Sequence, residues 1–226
     1  MSAFRCDLHI HSCLSPCADE DMTPGSIAGI AKLNGLDVAA LTDHNTCGNC
    51  ASFFAACEHY GVVPVAGMEL TTSEDVHLLC LFPTLADAEA FSAAVGQMRV
   101  RIKNRPEIFG RQLLMGTDDE SLGEEDCLLV NATGLSLEDA ANLVLRHHGA
   151  ALPAHIDREA NGLLAMLGGI PDRPAFRAFE VYDEGRIPAL VGEHPGLSEK
   201  RWIVSSDAHS LWQIADPGFS IELPCS

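Results

Sequence analysis

The 226-residue sequence predicts an α/β fold in one domain spanning 1–226, best matched by a barrel of about seven parallel strands wrapped by helices. Three observations carry that expectation. Short β-rich runs alternate with helical patterns almost from the first residue, which is the order of βαβ units. The length suits one domain. Apolar residues make up 47% of the chain and charged ones only 20%, enough for a core and too little charge for disorder.

Strands are expected over residues 4–9, 38–42, 62–67, 76–82, 151–155, 179–182 and 203–206, with 219–223 as a closing piece. Helices are expected between them. The first, 23–34, opens on Thr23-Pro24 and closes at Gly35; the second, 50–60, closes at Gly61. A third covers 85–101, and a fourth, 136–148, opens on Ser136-Leu137-Glu138-Asp139, where a hydroxyl and early acids satisfy the first amides. The stretch 103–126 fits least well. With Arg105-Pro106, Gly110, Gly116 and its acidic runs it reads as an excursion from the barrel, either a solvated loop or a lid.

Asp and Glu number 32 against 14 Lys and Arg, a formal charge of −18. Such a chain is expected to repel a phosphate backbone, so duplex nucleic acid is excluded at this stage. Small anions remain open if cations are bound locally. No apolar run reaches membrane-spanning length, and the start, Met1-Ser2-Ala3-Phe4-Arg5, lacks a signal-peptide pattern, so a cytoplasmic protein is expected. Nine cysteines without a small-scaffold spacing read as reduced thiols or ligands.

The chemistry gathers at strand ends. His9 and His11 flank Ile10 after an apolar strand, and residues two apart on an extended chain point to one side, so two imidazoles can chelate one ion. Asp43-His44 ends the second strand, Glu69 the third, His155-Ile156-Asp157 the fifth and Asp207-Ala208-His209 the last, while His77 lies in the fourth. In a parallel barrel the C-terminal strand ends share one face, so six of the ten histidines would converge with at least three carboxylates. Burying that many titratable groups without cations is prohibitively costly. Mixed imidazole and carboxylate donors suit zinc, manganese or iron(II).

As an ordered set, Asp7-Leu8-His9-Ile10-His11-Ser12, Thr42-Asp43-His44-Asn45, Gly67-Met68-Glu69, Pro153-Ala154-His155 and Ser206-Asp207-Ala208-His209 resemble the motifs of the PHP (polymerase and histidinol phosphatase) family of metal-dependent phosphoesterases. The resemblance implies a distorted seven-stranded (β/α) barrel with a trinuclear site. By position, His9, His11, Glu69 and Asp207 would hold a first ion, Glu69, His77 and His155 a second, and Asp19, His44 and His209 a third. Asp19 is chosen over Glu20 and Asp21 for its distance to Thr23-Pro24, across a loop longer than the family's. It further implies a hydrolase of phosphate esters, with a small phosphorylated metabolite or short nucleotide as substrate and a metal-activated hydroxide as nucleophile. Catalytic roles would fall to Glu69, Asp207, His209 and His155.

For substrate phosphate the best candidate is Arg158, three residues after His155. Cys13-x3-Cys17 and Cys47-x2-Cys50 follow neighbouring strands, and their four thiols are a candidate extra metal or redox site; the alternative is small loop residues. Two other functions compete. A metal-dependent amidohydrolase also uses a barrel with H-x-H after its first strand, and a regulatory domain would retain the fold without catalysis.

Overall fold

A computed structural model describes residues 2–214 and 220–223. In chain order its elements are β1 (Ser2–Ile10), α1 (Pro24–Leu33), β2 (Val38–Leu41), α2 (Cys50–Tyr60), β3 (Val63–Thr71), β4 (His77–Phe82), α3 (Leu85–Gly96), α4 (Pro106–Phe109), β5 (Leu113–Met115), β6 (Ser121–Glu124), α5 (Leu137–Arg146), β7 (Ala150–Pro153), α6 (Leu163–Leu167), β8 (Ala178–Val181), α7 (Ile187–Glu193), β9 (Arg201–Val204) and β10 (Ser220–Leu223). Phe219, the first residue of the expected closing piece, lies outside the described residues.

The main sheet has the order β10-β1-β2-β3-β4-β7, and β8 pairs with β9 as a separate parallel ladder. Together they form a curled, incompletely closed barrel. The two parts meet at one pole: Ile156 N donates to Glu180 O at 2.9 Å, and His11 N donates to Ala208 O at 2.9 Å. An outer layer of helices packs on the sheet through Ile27 and Ala31 of α1, Phe53 of α2, Phe91 of α3 and Val144 of α5, all fully buried. A second, thinner apolar layer fills the barrel, with Cys6, Leu8, Leu79 and Leu152 among its residues.

The expected parallel sheet is mixed: β10 runs antiparallel to β1, and a second reversal lies inside the sheet. β4 runs antiparallel to both β3 and β7. Between Thr71 and His77 the chain makes a tight turn, with Thr72 N donating to Val76 O at 2.9 Å, and a connection that short cannot carry a crossover helix. This reversal matters to the site. Because β4 starts where β3 ends, His77 stands at the pole that holds the C-terminal ends of β1, β2 and β3.

Helix boundaries follow local chemistry. Thr23 caps α1 by accepting from Ser26 N, Pro24 takes the first helical position, and Ser136 caps α5 by accepting from Asp139 N. Gly61 closes α2 at φ 69°, a left-handed conformation that glycine adopts without the penalty of a side chain. The third helix stops at Gly96, short of the expected 101. Beyond it Met98-Arg99-Val100-Arg101-Ile102-Lys103 alternates with a period of two, and Arg99 and Lys103 form bridges to Thr133 and Cys127.

The 103–126 segment carries α4 and the β5–β6 hairpin, and it is fastened to the barrel at several points. Leu113 N donates to Cys13 O at 2.9 Å, Met115 N to Asn49 Oδ1 at 3.0 Å, and Ser52 Oγ to Met115 O at 2.7 Å. Asp119 accepts from Gly25 N at 2.9 Å and from the Thr23 hydroxyl, adding a carboxylate to the start of α1.

Candidate metal centre

Each donor reaches the closed pole for a local reason. The β1–β2 register shifts between Asp7 and Ile10, a bulge beside the site that re-aims the strand end; His9 and His11 then place their Nε2 atoms 3.2 Å apart. On β3, Gly67 precedes Met68-Glu69. A Cβ there would lie 2.8 Å from Thr42 Cγ2 and 2.9 Å from Cys80 O, so glycine lets β3 sit close between its neighbours. His155 and Asp207 follow β7 and β9 with φ of 27° and 50°, conformations costly for residues with side chains and held here at the pole where all the donors meet.

Glu69 is the centre of the cluster. Its Oε1 lies 2.7 Å from His77 Nδ1, 3.0 Å from His155 Nε2 and 3.4 Å from His9 Nε2; its Oε2 lies 3.1 Å from His44 Nδ1 and 3.4 Å from His11 Nε2. Asp207 Oδ1 stands 3.4 Å from His9 Nε2, 3.3 Å from His11 Nε2 and 3.7 Å from His209 Nδ1. Three triads have donor atoms mutually within 4.8 Å: His9, His11 and Glu69; His44, Glu69 and His77; and His11, His44 and His209.

Some of these contacts are hydrogen bonds, as between His155 Nε2 and Glu69 Oε1, but hydrogen bonds do not account for all the imidazole nitrogens. His44 Nδ1 and His77 Nδ1 are close to Glu69 oxygens, yet neither has a hydrogen-bond partner of acceptable geometry, and His155 Nδ1 has none either. Buried polar atoms are normally paired. Imidazole nitrogens crowded round a carboxylate but aimed past it are what a cation between them would satisfy, and nitrogen and carboxylate oxygen are the donors that zinc, manganese and iron(II) accept. The residues fit divalent ions.

A second ring of side chains orients the donors. Glu180 Oε2 lies 2.9 Å from His9 Nδ1 and accepts from His155 N at 3.0 Å, so one buried carboxylate fixes two donors. His11 Nδ1 meets Ser15 Oγ at 2.9 Å, and Ser15 Oγ donates to Asp43 Oδ1 at 2.7 Å, while Ser12 N and Oγ donate to the same carboxylate at 2.7 and 2.6 Å. Gln213 Oε1 accepts from the backbone of both His209 and Ser210 at 2.9 and 3.0 Å. Sequence reasoning assigned no role to Glu180. Its signal was a single acid in the apolar run Phe179-Glu180-Val181 of a predicted strand.

Without cations the cluster balances its charge with protons. Burial pulls His9 and His11 down, but Glu180, Asp207 and Glu69 outweigh it for His9, and hydrogen bonds to Asp207 and Glu69 raise His11 to about 9. Burial likewise opposes ionisation of Glu69, and His77, His9 and His44 overcome it and hold the carboxyl below its usual range. Asp207 is lowered in the same way, chiefly by His9 and a hydrogen bond with His11. Burial dominates at His44, which is lowered well below its ordinary value, and takes His209 down to about 4.

Eight of the nine residues expected to bind metal thus converge, and Asp19 does not. Its side chain is exposed and outside the three triads; its backbone amide donates to His209 O at 2.8 Å instead. Arg158 lies beside the cluster, with Nη1 2.8 Å from Asp207 Oδ2 and its guanidinium 4.0 Å above the centre of the Tyr182 ring. The four loop thiols divide into an adjacent pair, Cys47 and Cys50, and two separate cysteines. Cys47 and Cys50 share Gly67 O at 3.2 and 3.7 Å, Cys13 packs with Leu113 and Met115, Cys17 is exposed, and among the described residues no donor triad includes a cysteine. Burial pushes the Cys13 thiol up to about 12, away from the thiolate a ligand needs.

A family model described as PHP domain matches residues 7–145, well over half of the chain. The chain belongs to the PHP domain family. PHP domains are metal-dependent hydrolases, and the match takes in His9, His11, His44, Glu69 and His77. A search of curated proteins found no match to this PHP domain. Among solved structures it is similar to the lesion-specific endonuclease Q of Pyrococcus furiosus, at 19% identity and a TM-score of 0.66 over 93% of this chain and 49% of that one. The chain therefore spans about half the length of endonuclease Q. An amidohydrolase of Chromobacterium violaceum, solved with sulfate and no metal, matches at 21% identity and TM-score 0.62 over 97% of this chain and 92% of that one. A protein of Bifidobacterium adolescentis described as a metal-dependent phosphoesterase matches at 18% identity and TM-score 0.58 over 90% and 87%. At these identities the likeness is one of fold.

One expectation is overturned. A second endonuclease Q structure, 20% identical with a TM-score of 0.62 over 93% of this chain and 50% of that one, holds a 27-mer duplex with an abasic lesion at its active site. The PHP fold is thus compatible with duplex DNA, and a formal charge of −18 does not exclude it here. Net charge averages over the whole surface, whereas the potential at a site is set by cations within about 10 Å of it. No described helix is long and apolar enough to cross a membrane.

Proposed function

We propose that this PHP domain hydrolyses phosphate esters of a small metabolite or short nucleotide, with divalent ions held by His9, His11, Glu69 and Asp207, by Glu69, His77 and His155, and by His44 with His209. The observation that carries the reading is the placement of Arg158, whose guanidinium reaches into the mouth of the donor cluster and meets Asp207 at 2.8 Å. A planar cation beside oxygen-binding ions is a receptor for a phosphoryl group. When bound, the ions supply Lewis acidity that makes water nucleophilic near neutral pH and offsets the phosphoryl charge.

The chain's own residues do the rest. Glu69 and Asp207 hold the donors in register around the reacting centre. Arg158, kept flat on Tyr182, orients the phosphate by turning its fork from Asp207 to the substrate oxygens. His209, whose side chain is 27% exposed, faces the open side where a leaving group departs, and His155 closes the buried side. The amidohydrolase reading draws on the Chromobacterium violaceum structure, but many binuclear amidohydrolases bridge their metals with a carboxylated lysine at a strand end, and none of Lys32, Lys103 and Lys200 stands at such a position.

The test is phosphate or nucleotide release from phosphomonoesters, nucleotides, a dinucleotide and an abasic duplex by metal-loaded wild type, chelated wild type and His44→Ala. Release from a small ester that needs metal and collapses in the variant is expected. Cleavage of the duplex alone would overturn the small-substrate assignment, and no cleavage of any ester by folded, metal-loaded protein would overturn the phosphoesterase itself.

A further inference from the structure

The barrel wall is open at the pole opposite the donors. β7 pairs with β4 on one side, yet no ladder joins it to β8, and the cleft between β7, α5 and β8 is a cavity of about 830 Å³. Its inner wall is barrel interior: Leu81, Leu152, Ala178 and Ile203 belong to or pack on the apolar layer inside the sheet. That volume falls within the range of small-molecule sites, and a concave apolar wall with a few charged groups is their usual composition.

The charges at this cleft run against the rest of the protein. Arg173, Arg177 and Arg201 line it, against the single acid Glu138, in a chain with only 14 basic residues and a formal charge of −18. Arg177 and Arg201 sit on adjacent chains, since Arg201 N donates to Arg177 O at 3.1 Å. Some other exposed arginines pair locally, Arg105 with Glu107 and Arg111 with Glu124, whereas among the described residues Arg5, Arg101 and Arg146 do not. Among the described residues the guanidinium groups of Arg173, Arg177 and Arg201 have no ion-pair partner. An apolar chamber with unpaired cations at its rim matches a ligand with a long apolar body and one anionic end.

We infer that this cleft binds a free fatty acid, the alkyl chain lying against the apolar wall between β7, α5 and β8 and the carboxylate resting on Arg173, Arg177 and Arg201. A carboxylate suits the planar donor fork of arginine. A single chain suits a narrow cleft between two strands that stay neighbours although no ladder joins them. The site lies apart from the donor cluster, so it stands or falls independently of the proposed hydrolysis.

The experiment is equilibrium binding of dodecanoate, below its micelle threshold, to the metal-loaded protein, with dodecanol and phosphatidylglycerol vesicles as comparisons. Arg177→Glu with Arg201→Glu removes the rim charge; Ala178→Trp fills the chamber. Saturable binding of about one dodecanoate per chain, weakened about tenfold or more in both variants while phosphate release and the far-UV spectrum stay at wild-type levels, is expected. Absence of saturable binding, equal binding of dodecanol, or binding unchanged in either folded variant would overturn the inference. So would association with vesicles alone, which would make the face a lipid-surface contact. If Ala178→Trp fails to fold, the arginine pair alone decides.

Discussion

Glu69→Gln loses at least about 10³-fold of the metal-dependent hydrolysis and most of the bound metal, while its far-UV spectrum and elution volume stay those of wild type. The expectation follows from the geometry of one carboxylate whose two oxygens face five imidazoles at 2.7 to 3.4 Å. Glutamine keeps the shape and one acceptor, so nothing in the packing need move. It loses the charge that balances two or more dications and the ability to bridge them. Metal-based stabilisation of phosphoryl transfer is worth several kcal/mol, and each 1.36 kcal/mol is tenfold in rate, so about 4 kcal/mol sets the scale. Activity assayed across a metal titration checks it. Recovery of full activity at saturating metal would show that Glu69 acts only through affinity.

The second large effect is on the metal-free protein. His11 is raised from 6.5 to about 9 in the folded state, so its contribution to stability is complete below about pH 6.5 and is lost as pH rises through about 9. His9, raised by the same carboxylates, acts in the same direction. His209 is lowered to about 4, so its contribution is complete above about 6.5 and is lost as pH falls through about 4; Glu69, also lowered, disfavours acid as well. Chelated protein is therefore most stable near pH 6.5 and falls on both sides. The His11 shift alone corresponds to about 3 kcal/mol between pH 6.5 and 9. Metal loading removes the alkaline loss, because ions replace the protons on His9 and His11 and must release them on binding. Thermal unfolding across pH, with chelator and with metal, checks both limbs. An alkaline-stable chelated protein would show that the imidazoles are not held protonated by Glu69 and Asp207.

Much of the site is legible because the residues that make it stand at the ends of recognisable strands. His9-Ile10-His11, Glu69 and Asp207-Ala208-His209 each close an apolar run, and the fold needed only to bring those ends to one pole. Strand direction was not legible from alternation. His77 begins β4, and in an all-parallel barrel it would have been at the far pole; the turn between Thr71 and His77 is the clue that reverses the strand. Asp19 lies outside the donor triads because spacing to Thr23-Pro24 measures distance along the chain, whereas the place of its carboxylate depends on the path of the longer loop. Glu180 was missed because an acid within a strand gives no hint of its partners until His9 and His155 are packed against it. Nor does sequence show where a barrel fails to close, since the gap between β7 and β8 is a matter of missing hydrogen bonds.

The most direct test of the central claim is anomalous diffraction from crystals of the manganese- or zinc-loaded protein, with elemental analysis of the same sample. The account predicts two or more ions per chain, one within about 2.0–2.3 Å of Glu69 and of His9 or His11, the range of ordinary ligand bonds. A protein that takes up no stoichiometric metal, or holds it away from Glu69, would contradict it.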